Sequence, residues 1–482
     1  MLNKFNNLNS KEWLPFQKSW FKFDGKEKLY LNNIRFFTKI EKKINGVFYY
    51  GNSFEIVKNI CNELGLAVTN NIYRHDGEIQ FALIDLLDDI TDAIELDEYK
   101  TIQYRTMKII QATYDKMIER RFLAVLVPNI RNKNTYYPFA WELANKISMV
   151  YSLKDEKICC LDNHENTNLD KTYFATTKGI FYCLYFRKDE KSSGVYNEQN
   201  FLYFKNNTQE KSSWPFKGLI PSWFILKPQP RKKDEILHPA KYPEDLVEMF
   251  VNEFTREGDN VFDPMSGTGS TQLAALKLKR NGYGTELSEF FSKIAYSRCQ
   301  EFLEPKQMHL FPTIKKQTFK IINKDARLIK KDDFPEIDYL ITSPPYWDML
   351  NMKGAENQAK RLEKGLKTSY SDDCDDLGNI ANYEEFIAEL VSVYFYIIDT
   401  LLKPGAYLTI IVKNIKKKGV NYPFAWDLTK KLQEKLILLP EAFWCQDDIT
   451  VAPYGYGNTW VSNTFHQYCL SFQKPNKSAN NL

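Results

Sequence analysis

The sequence predicts an α/β protein built on a Rossmann-like, doubly wound sheet, and three observations support that fold class. A glycine-rich turn joins a strand-like segment to a helix-like segment at residues 260–278. Polar or acidic residues follow three further strand-like segments, and a block near the N-terminus recurs near the C-terminus. The first two patterns are typical of parallel sheets that bind nucleotide-like ligands at the carboxyl ends of their strands. The third predicts an N-terminal α/β region that partly repeats the second half of that sheet.

Composition sets the class of protein. The chain has 482 residues, 43% of them hydrophobic and 26% charged, which is typical of a globular protein of two or three domains. The net charge of +4 means that a nucleic-acid surface must be a local patch. The sequence has no signal-peptide pattern and no apolar run of 18 residues, so we expect a cytoplasmic protein without a membrane partner. Eight cysteines without CxxC spacing predict free thiols and no metal.

The first motif predicts a cofactor site. A strand-like segment ends at Asp263, and Gly267 and Gly269 lie in the turn before the next helix. Glycines let the backbone approach a ligand closely, and a helix N-terminus offers unpaired N–H groups. Glu286 ends the next strand-like segment, where such an acid binds ribose hydroxyls in doubly wound folds. Asp325 ends a third segment, where its carboxylate is placed to accept from an adenine amino group.

The second motif is a corner of two prolines after an apolar strand. Thr342 is followed by Ser343, Pro344, Pro345, Tyr346 and Trp347. The prolines stiffen the backbone and remove two N–H donors, so carbonyls and a hydroxyl remain as acceptors beside two aromatic rings. This arrangement suits the binding of an exocyclic amino group on a flat ring.

With these motifs the chain resembles the S-adenosylmethionine-dependent DNA amino-methyltransferases, especially the branch that methylates N4 of cytosine. The resemblance covers residues 214–474 and includes the segment 238–246 and the last strand, 466–472. One departure is Met265, where the family usually carries Phe against the cofactor. It implies S-adenosyl-L-methionine as cofactor. The implied cofactor-binding residues are His238, Pro239, Thr255, Asp263, Pro264, Gly267, Gly269, Thr271, Glu286, Asp325 and Ala326.

The resemblance also implies how the corner works. Ser343 and the Pro344 carbonyl would accept the hydrogens of the amine, and Tyr346 would stack on a base extruded from double-stranded DNA. Pro345 completes the predicted catalytic set. A cognate restriction endonuclease is a candidate partner, whereas the recognition sequence and the oligomeric state stay open.

Four other activities compete with this interpretation. Cytosine-C5 methylation needs a cysteine nucleophile, usually in a Pro-Cys pair, and the chain has no Pro-Cys dipeptide. Adenine-N6 enzymes usually carry Asp or Asn in place of Ser343, so serine favours cytosine N4. RNA methyltransferases share Pro-Pro-Tyr corners but generally lack the segment like 238–246. A cofactor-binding protein without turnover is disfavoured by the intact corner.

The repeat predicts the domain organisation. Residues 129–143 resemble residues 414–428 at an offset of 414 − 129 = 285, and a second pair of blocks follows at an offset of 286. We predict a degenerate methyltransferase-like half at residues 1–190, a linker at 191–236 and a catalytic domain at 237–474. In this hypothesis the N-terminal copy has lost the Pro-Pro corner.

Candidate DNA contacts lie near the corner and in a loop after the strand at residues 407–412. In such positions a plain solvated loop is a common alternative. The predicted contacts are Trp347, Lys353, Arg361, Lys416 and Lys417.

Overall fold

A computed structural model describes most of the chain. The described residues are 3–40, 46–90, 94, 96–162, 170–189, 204–205, 207–227, 243–304, 317–347, 376–447, 451 and 462–476. No helix in these ranges is long and apolar enough to cross a membrane.

The N-terminal region forms a domain with its own seven-stranded sheet, in the order β1-β8-β9-β5-β4-β2-β3. Its helices are α1 (Ser10–Trp13), α2 (Lys26–Phe37), α3 (Phe54–Glu63), α4 (Leu96–Lys116) and α5 (Phe139–Ser148). Its strands are β1 (Trp20–Lys22), β2 (Gly46–Tyr50), β3 (Ala67–Thr69), β4 (Ile79–Asp85), β5 (Met117–Val127), β6 (Ile130–Asn132), β7 (Thr135–Tyr137), β8 (Ser152–Cys160) and β9 (Ile180–Arg187).

The C-terminal domain contains the glycine turn and the proline corner. Its helices are α6 (Glu244–Phe254), α7 (Ser270–Lys277), α8 (Glu289–Leu303), α9 (Tyr383–Thr400) and α10 (Phe424–Leu432). The remaining strands are β10 (Asn207–Thr208), β11 (Trp223–Ile225), β12 (Asn260–Asp263), β13 (Asn281–Glu286), β14 (Phe319–Asn323), β15 (Ile337–Thr342), β16 (Leu402–Val412), β17 (Ile415–Lys417), β18 (Val420–Tyr422), β19 (Ile437–Leu438), β20 (Ala442–Cys445) and β21 (His466–Gln473).

The C-terminal sheet confirms the predicted fold class. Its order is β11-β20-β21-β16-β15-β12-β13-β14, with β19 paired to β21. The five strands from β14 to β16 are parallel, and β21 runs antiparallel between β16 and β20. Strand order reverses between β12 and β15, and ligands of doubly wound folds bind at the carboxyl ends of the strands beside such a reversal. The glycine turn follows β12 and the proline corner follows β15, so both lie at that position.

The N-terminal sheet repeats this topology more fully than the sequence predicted. Strands β2, β4, β5, β9 and β8 take the places of β12, β15, β16, β21 and β20, and β3 takes the place of β13. Both copies carry the same register shift near the start of β4 and of β15. In the structure the repeat thus also includes the counterparts of β12 and β13. The sequence blocks that revealed the repeat lie C-terminal to β4 and β15, so they gave no sign of these strands.

The register identifies equivalent residues at the two strand ends. Phe81 pairs with Phe122, and Tyr339 pairs with Tyr407. Because 339 − 81 = 258, Asp85 in the N-terminal domain occupies the position of Ser343. Asp85 is buried and accepts hydrogen bonds from the hydroxyls of two tyrosines, Tyr30 and Tyr49.

The two domains pack face to face about a pseudo-two-fold axis. The rings of Trp141 and Trp426, which are equivalent at the offset of 285, stack at 6.2 Å with an interplanar angle of 13°. The indole of Trp20 donates to the Gln446 carbonyl at 2.9 Å, and the indole of Trp223 donates to the Leu161 carbonyl at 2.7 Å. Those two acceptors are again 446 − 161 = 285 residues apart, so the interface is isologous in the manner of a two-fold dimer.

Buried polar groups follow the same symmetry. Asn414 donates to Glu156 at 2.7 Å, and the equivalent Asn129 donates to Glu441 at 3.5 Å. The Glu156 carboxylate also accepts from the Tyr468 hydroxyl at 2.6 Å. Each domain therefore completes hydrogen bonds that the other leaves open, so these polar groups are paired although the interface buries them.

The predicted linker is partly a structural element. Trp223–Ile225 adds a parallel edge strand to β20, and Asn207–Thr208 pairs with Thr135–Tyr137 of the other domain. Phe216 is buried against the ring of Phe254 in α6. Prolines flanking this segment favoured an extended connector, yet its aromatic residues bury enough apolar surface to dock it on both domains.

Candidate active site

The glycine turn after β12 has a backbone conformation that favours glycine at two positions. Gly267 and Gly269 have φ angles of +54° and +78°, in the left-handed region that favours glycine. A Cβ atom on Gly269 would lie 2.8 Å from the Cβ of Ala295, so this position has no room for a side chain. The Pro264 carbonyl accepts from the Thr285 hydroxyl at 2.6 Å, which fixes the start of the turn on the neighbouring strand.

Asp263 connects the glycine turn to the proline corner. Its carboxylate is fully buried and accepts from the hydroxyls of Thr271 and Thr342, each at 2.7 Å. It also accepts from the Met265 amide at 3.0 Å. Asp263 and Thr271, which the resemblance implies as cofactor-binding residues, hold the first turn of α7, the end of β12 and the end of β15 together.

Glu286 ends β13 and faces the glycine turn. Its carboxylate accepts from the amides of Gly267 at 2.8 Å and Ser288 at 2.9 Å. Burial raises its pKa to about 7, and the charges of Asp263 and Asp376 act in the same direction. The structure thus places a carboxylate acceptor beside the glycine turn.

Asp325 and Ala326 follow β14, the third strand from the turn. The Asp325 carboxylate accepts from the Arg327 guanidinium at 2.6 Å and from the Arg327 amide at 2.8 Å. Ala326 packs against the main hydrophobic core, and both residues are half-buried. Asp325 is therefore at the predicted edge of the sheet, with Arg327 as a competing partner for any ligand.

One predicted cofactor residue lies at the wrong edge of the sheet. Thr255 follows the last turn of α6, and its hydroxyl accepts from the side chain of Arg280, which directly precedes β13. Because α6 runs back across the sheet, its C-terminal end lies near the start of β12, opposite the glycine turn. The first turn of α6 lies near the glycine turn instead. Arg298 connects the two, because its guanidinium bonds Glu244 of α6 and the carbonyl of Thr268 in the glycine turn. His238 and Pro239 lie outside the described residues.

The proline corner leaves β15 at the same edge as the glycine turn. Ser343 and Pro345 are half-buried, whereas Pro344 and Tyr346 are buried. The Tyr346 hydroxyl donates to the side-chain oxygen of Gln467 at 2.9 Å. Burial raises the pKa of Tyr346 to about 12, so the phenol stays protonated. The corner is thus a fixed turn with its acceptors at the strand edge.

Two residues beside the corner were missed by sequence reasoning. Gln467 on β21 fixes Tyr346, and the ammonium of Lys413, just after β16, lies 5.2 Å from the centroid of the Tyr346 ring. Burial lowers the pKa of Lys413 to about 8. The equivalent residues in the N-terminal copy are Phe181 and Pro128. A comparison of the two copies in sequence could therefore have singled out Gln467 and Lys413 as residues specific to the copy with the corner.

The predicted DNA contacts are not supported as a group. Trp347 is buried against Tyr383 and Tyr422, because three aromatic rings pack there. Lys416 pairs with the buried carboxylate of Asp155 in the other domain, because its loop lies in the domain interface.

Of the other three predicted DNA contacts, the structure describes only Lys417. The Lys417 ammonium lies 3.9 Å from the centroid of the Trp347 ring. Lys353 and Arg361 lie outside the described residues. Among the described residues, no group of three or more His, Cys, Asp or Glu side chains is arranged to hold a metal ion.

Comparison with known proteins gives matches to methyltransferases. Residues 94–297 match the N6_N4_Mtase family, described as DNA methylase. The chain is 33% identical over 118 residues to Type II methyltransferase M.BglII of Bacillus subtilis, which is 24% of this chain and 32% of that protein. It is 28% identical over 166 residues to Type II methyltransferase M2.LlaDCHI of Lactococcus lactis subsp. cremoris, 33% of this chain and 58% of that protein. The matches thus span between about a third and three fifths of these relatives.

Solved structures give a weaker likeness. TrmN from Thermus thermophilus is 15% identical with a TM-score of 0.27, over 48% of each chain. SMU.1697c of Streptococcus mutans, a putative methyltransferase in complex with SAH, is 12% identical with a TM-score of 0.28, over 49% of this chain and 99% of that one.

Proposed function

We propose that this protein is an S-adenosylmethionine-dependent DNA methyltransferase that acts on an exocyclic amino group of a base. The observation that carries the proposal is the double hydrogen bond of Asp263, which joins the glycine turn to the strand that ends in the proline corner. A methyl donor held at the turn and an amine held at the corner would therefore meet at one edge of the sheet. The matches to DNA methylases and Type II methyltransferases support the same function.

The residues around the turn fit the proposed cofactor. Glu286 offers a carboxylate to ribose hydroxyls, and the left-handed glycines allow the backbone to lie close to the ligand. The hydroxyl of Thr268 is buried and has no hydrogen-bond partner in the part of the chain that the structure describes, so a polar ligand group would satisfy it. When bound, S-adenosylmethionine supplies an electrophilic methyl group on its sulfonium.

The corner would activate the amine. The lone pair of an exocyclic amine is delocalised into its ring, which makes the nitrogen a poor nucleophile. Ser343 Oγ and the Pro344 carbonyl would each accept one amine hydrogen, which draws the nitrogen towards tetrahedral geometry and frees the lone pair. Tyr346, whose hydroxyl is bonded to Gln467, would support the base by stacking. Catalysis in this mechanism comes from positioning and fixed dipoles, without a covalent enzyme intermediate.

We further propose N4 of cytosine as the target, in double-stranded DNA whose target base is extruded. Serine at position 343 supports this choice, because adenine-N6 enzymes usually carry Asp or Asn there. A role beside a cognate restriction endonuclease is part of the proposal, supported by the matches to Type II methyltransferases. Adenine N6 is the alternative target.

The product identifies the reaction. DNA that lacks methylation is incubated with the protein and with S-adenosylmethionine carrying an isotope-labelled methyl group, then digested to nucleosides for mass spectrometry. We expect label in N4-methylcytosine. Label in N6-methyladenine would replace cytosine N4 by adenine N6 as the target. Absence of label from the nucleosides of DNA, together with label in RNA incubated in a parallel reaction, would contradict the proposed function.

The raised pKa of Glu286 predicts how cofactor binding depends on pH. Ribose hydroxyls donate to the ionised carboxylate, so binding favours loss of its proton. With a pKa of about 7, the ionised fraction rises about tenfold between pH 6 and pH 8, and the affinity for cofactor should rise by a similar factor. Calorimetric titration of the wild type and of Glu286→Gln measures this dependence, which the variant should lose.

The stability of the free protein should change in the opposite direction. The pKa of Glu286 is raised in the folded state, so that state binds the extra proton between the ordinary pKa of 4.5 and about 7. Its contribution to the free energy of unfolding is therefore present below that window and is lost as the pH rises through it. Glu286→Gln should therefore weaken the fall in the free energy of unfolding across that window. Glu253→Gln is the matched control for cofactor binding, because burial also raises the pKa of Glu253, but its carboxylate bonds the amides of Gly218 and Leu219 and not the glycine turn. Glu253→Gln should keep the wild-type pH dependence of cofactor affinity; loss of that dependence in Glu253→Gln, or its retention in Glu286→Gln, would contradict the assignment.

A further inference from the structure

The two copies of the fold provide an internal comparison, because they share a scaffold and only one carries the proline corner. After β5 the chain reads Val127, Pro128, Asn129, and after β16 it reads Val412, Lys413, Asn414. The two asparagines have kept the same role: each accepts from the backbone amide at the start of the following helix, Ala140 or Ala425, at 2.9 Å. The turn is thus the same in both copies, but the residue before the asparagine is proline in the N-terminal copy and lysine in the copy with the corner.

Lys413 lies beside the corner and has no partner of opposite charge among the described residues. Its Nζ lies over the ring of Tyr346, 5.2 Å from the centroid. Among the described residues, its ammonium makes no hydrogen bond or ion pair. Lys416, three residues later, is by contrast paired with Asp155. A half-buried ammonium without a carboxylate costs stability, so packing does not account for Lys413.

The proposed substrate has a hydrogen-bond acceptor next to its target amine, so its binding calls for a hydrogen-bond donor beside the proline corner. On the pairing edge of cytosine or adenine, the exocyclic amine adjoins a ring nitrogen that accepts hydrogen bonds. The corner offers acceptors for the amine, but Pro344 and Pro345 have no N–H to give to the ring nitrogen. The Tyr346 hydroxyl is used by Gln467. Lys413 carries three N–H donors and lies beside the corner, where the proposed base would present that edge.

We propose that Lys413 binds the extruded base by donating a hydrogen bond to the ring nitrogen that adjoins the target amine. This inference rests on the proposed function and adds a substrate-binding residue to it. Lys413 would then recognise the acceptor of the base edge while Ser343 and Pro344 recognise the donor. The cation would leave the face of Tyr346 as the base arrives, and one charged hydrogen bond would replace the cation–ring contact.

The test compares Lys413→Met and Lys413→Arg with the wild type. Labelled methyl transfer to unmethylated DNA gives kcat and KM for DNA, and calorimetry gives the affinity for S-adenosylmethionine. We expect kcat/KM of Lys413→Met to fall about 10- to 100-fold, as expected for the loss of a hydrogen bond from a charged group, with the cofactor affinity unchanged. Lys413→Arg should recover most of the activity, because arginine keeps the cationic donor.

The matched control is Lys403→Met. Lys403 is the second residue of β16, the strand that precedes Lys413, and it pairs with Asp338 at the opposite edge of the sheet. It should leave kcat/KM within about twofold of the wild type. Activity of Lys413→Met within twofold of an active wild type would overturn the inference and leave the proposed function intact. A parallel loss of cofactor affinity would also overturn it, since that pattern indicates a structural role. A wild type that methylates no DNA would overturn both.

Discussion

Replacement of Ser343 by alanine should lower kcat for methyl transfer to DNA by about 10²- to 10³-fold, the range for losing one preorganised hydrogen bond that acts in the transition state. The hydroxyl is proposed to accept an amine hydrogen only as the nitrogen becomes tetrahedral. The affinity for S-adenosylmethionine should stay within about twofold, because Asp263 bonds Thr342 and not Ser343. Single-turnover transfer of labelled methyl groups, with cofactor binding measured in parallel, checks both expectations.

Two variants make this result specific. Ser213→Ala removes an exposed hydroxyl from another loop and should not alter either quantity. Tyr346→Phe keeps the ring and removes the hydrogen bond to Gln467, so we expect a smaller fall in kcat than in Ser343→Ala. If Ser343→Ala retained full activity, the corner could not act as proposed, whatever base the protein methylates.

The second large effect concerns the domain interface. Trp141→Ala should lower the free energy of unfolding by about 3–5 kcal/mol, because it empties a fully buried site between the domains. Its stacking partner Trp426 belongs to the other domain. We therefore expect both domains to lose stability together, in a single transition followed by tryptophan fluorescence and circular dichroism during denaturation by urea.

A double-mutant cycle separates the interface from ordinary core packing. Trp13 is also fully buried, but it packs against Phe5 and Phe36 in a hydrophobic cluster of the N-terminal domain that does not contain Trp426. The effects of Trp141→Ala and Trp426→Ala should be non-additive, whereas those of Trp13→Ala and Trp426→Ala should add within about 0.5 kcal/mol. Two separate unfolding transitions in the wild type would contradict a shared interface.

The sequence predicted what depends on local pattern. Strand ends followed by glycines, by an acid or by two prolines placed Gly267, Gly269, Glu286 and Ser343 at one edge of one sheet, because parallel strands share their carboxyl edge. Thr255 was predicted at the wrong edge of the sheet, because it follows α6 and that helix runs across the sheet to the edge opposite the glycine turn.

Other features depended on contacts that no single segment encodes. Lys416 resembled a DNA-binding residue because its partner, Asp155, lies 261 residues away and in another domain. Trp347 was predicted as a DNA contact because the sequence gave no sign of Tyr383 and Tyr422, which cover it and come from other elements. The first half of the N-terminal copy could not be recognised because Tyr49 stands on β2 at the position of Asp263 on β12, which leaves no acidic residue to mark a motif.

The covalent connection between the two related domains changes how their pairing responds to dilution. Separate subunits with an isologous interface obey mass action, so the fraction paired falls as the protein becomes scarce. Here the linked domains meet at an effective concentration set by the connecting chain, which does not depend on how many molecules are present. The Trp141–Trp426 interface therefore stays formed at any protein level at which the chain itself is folded.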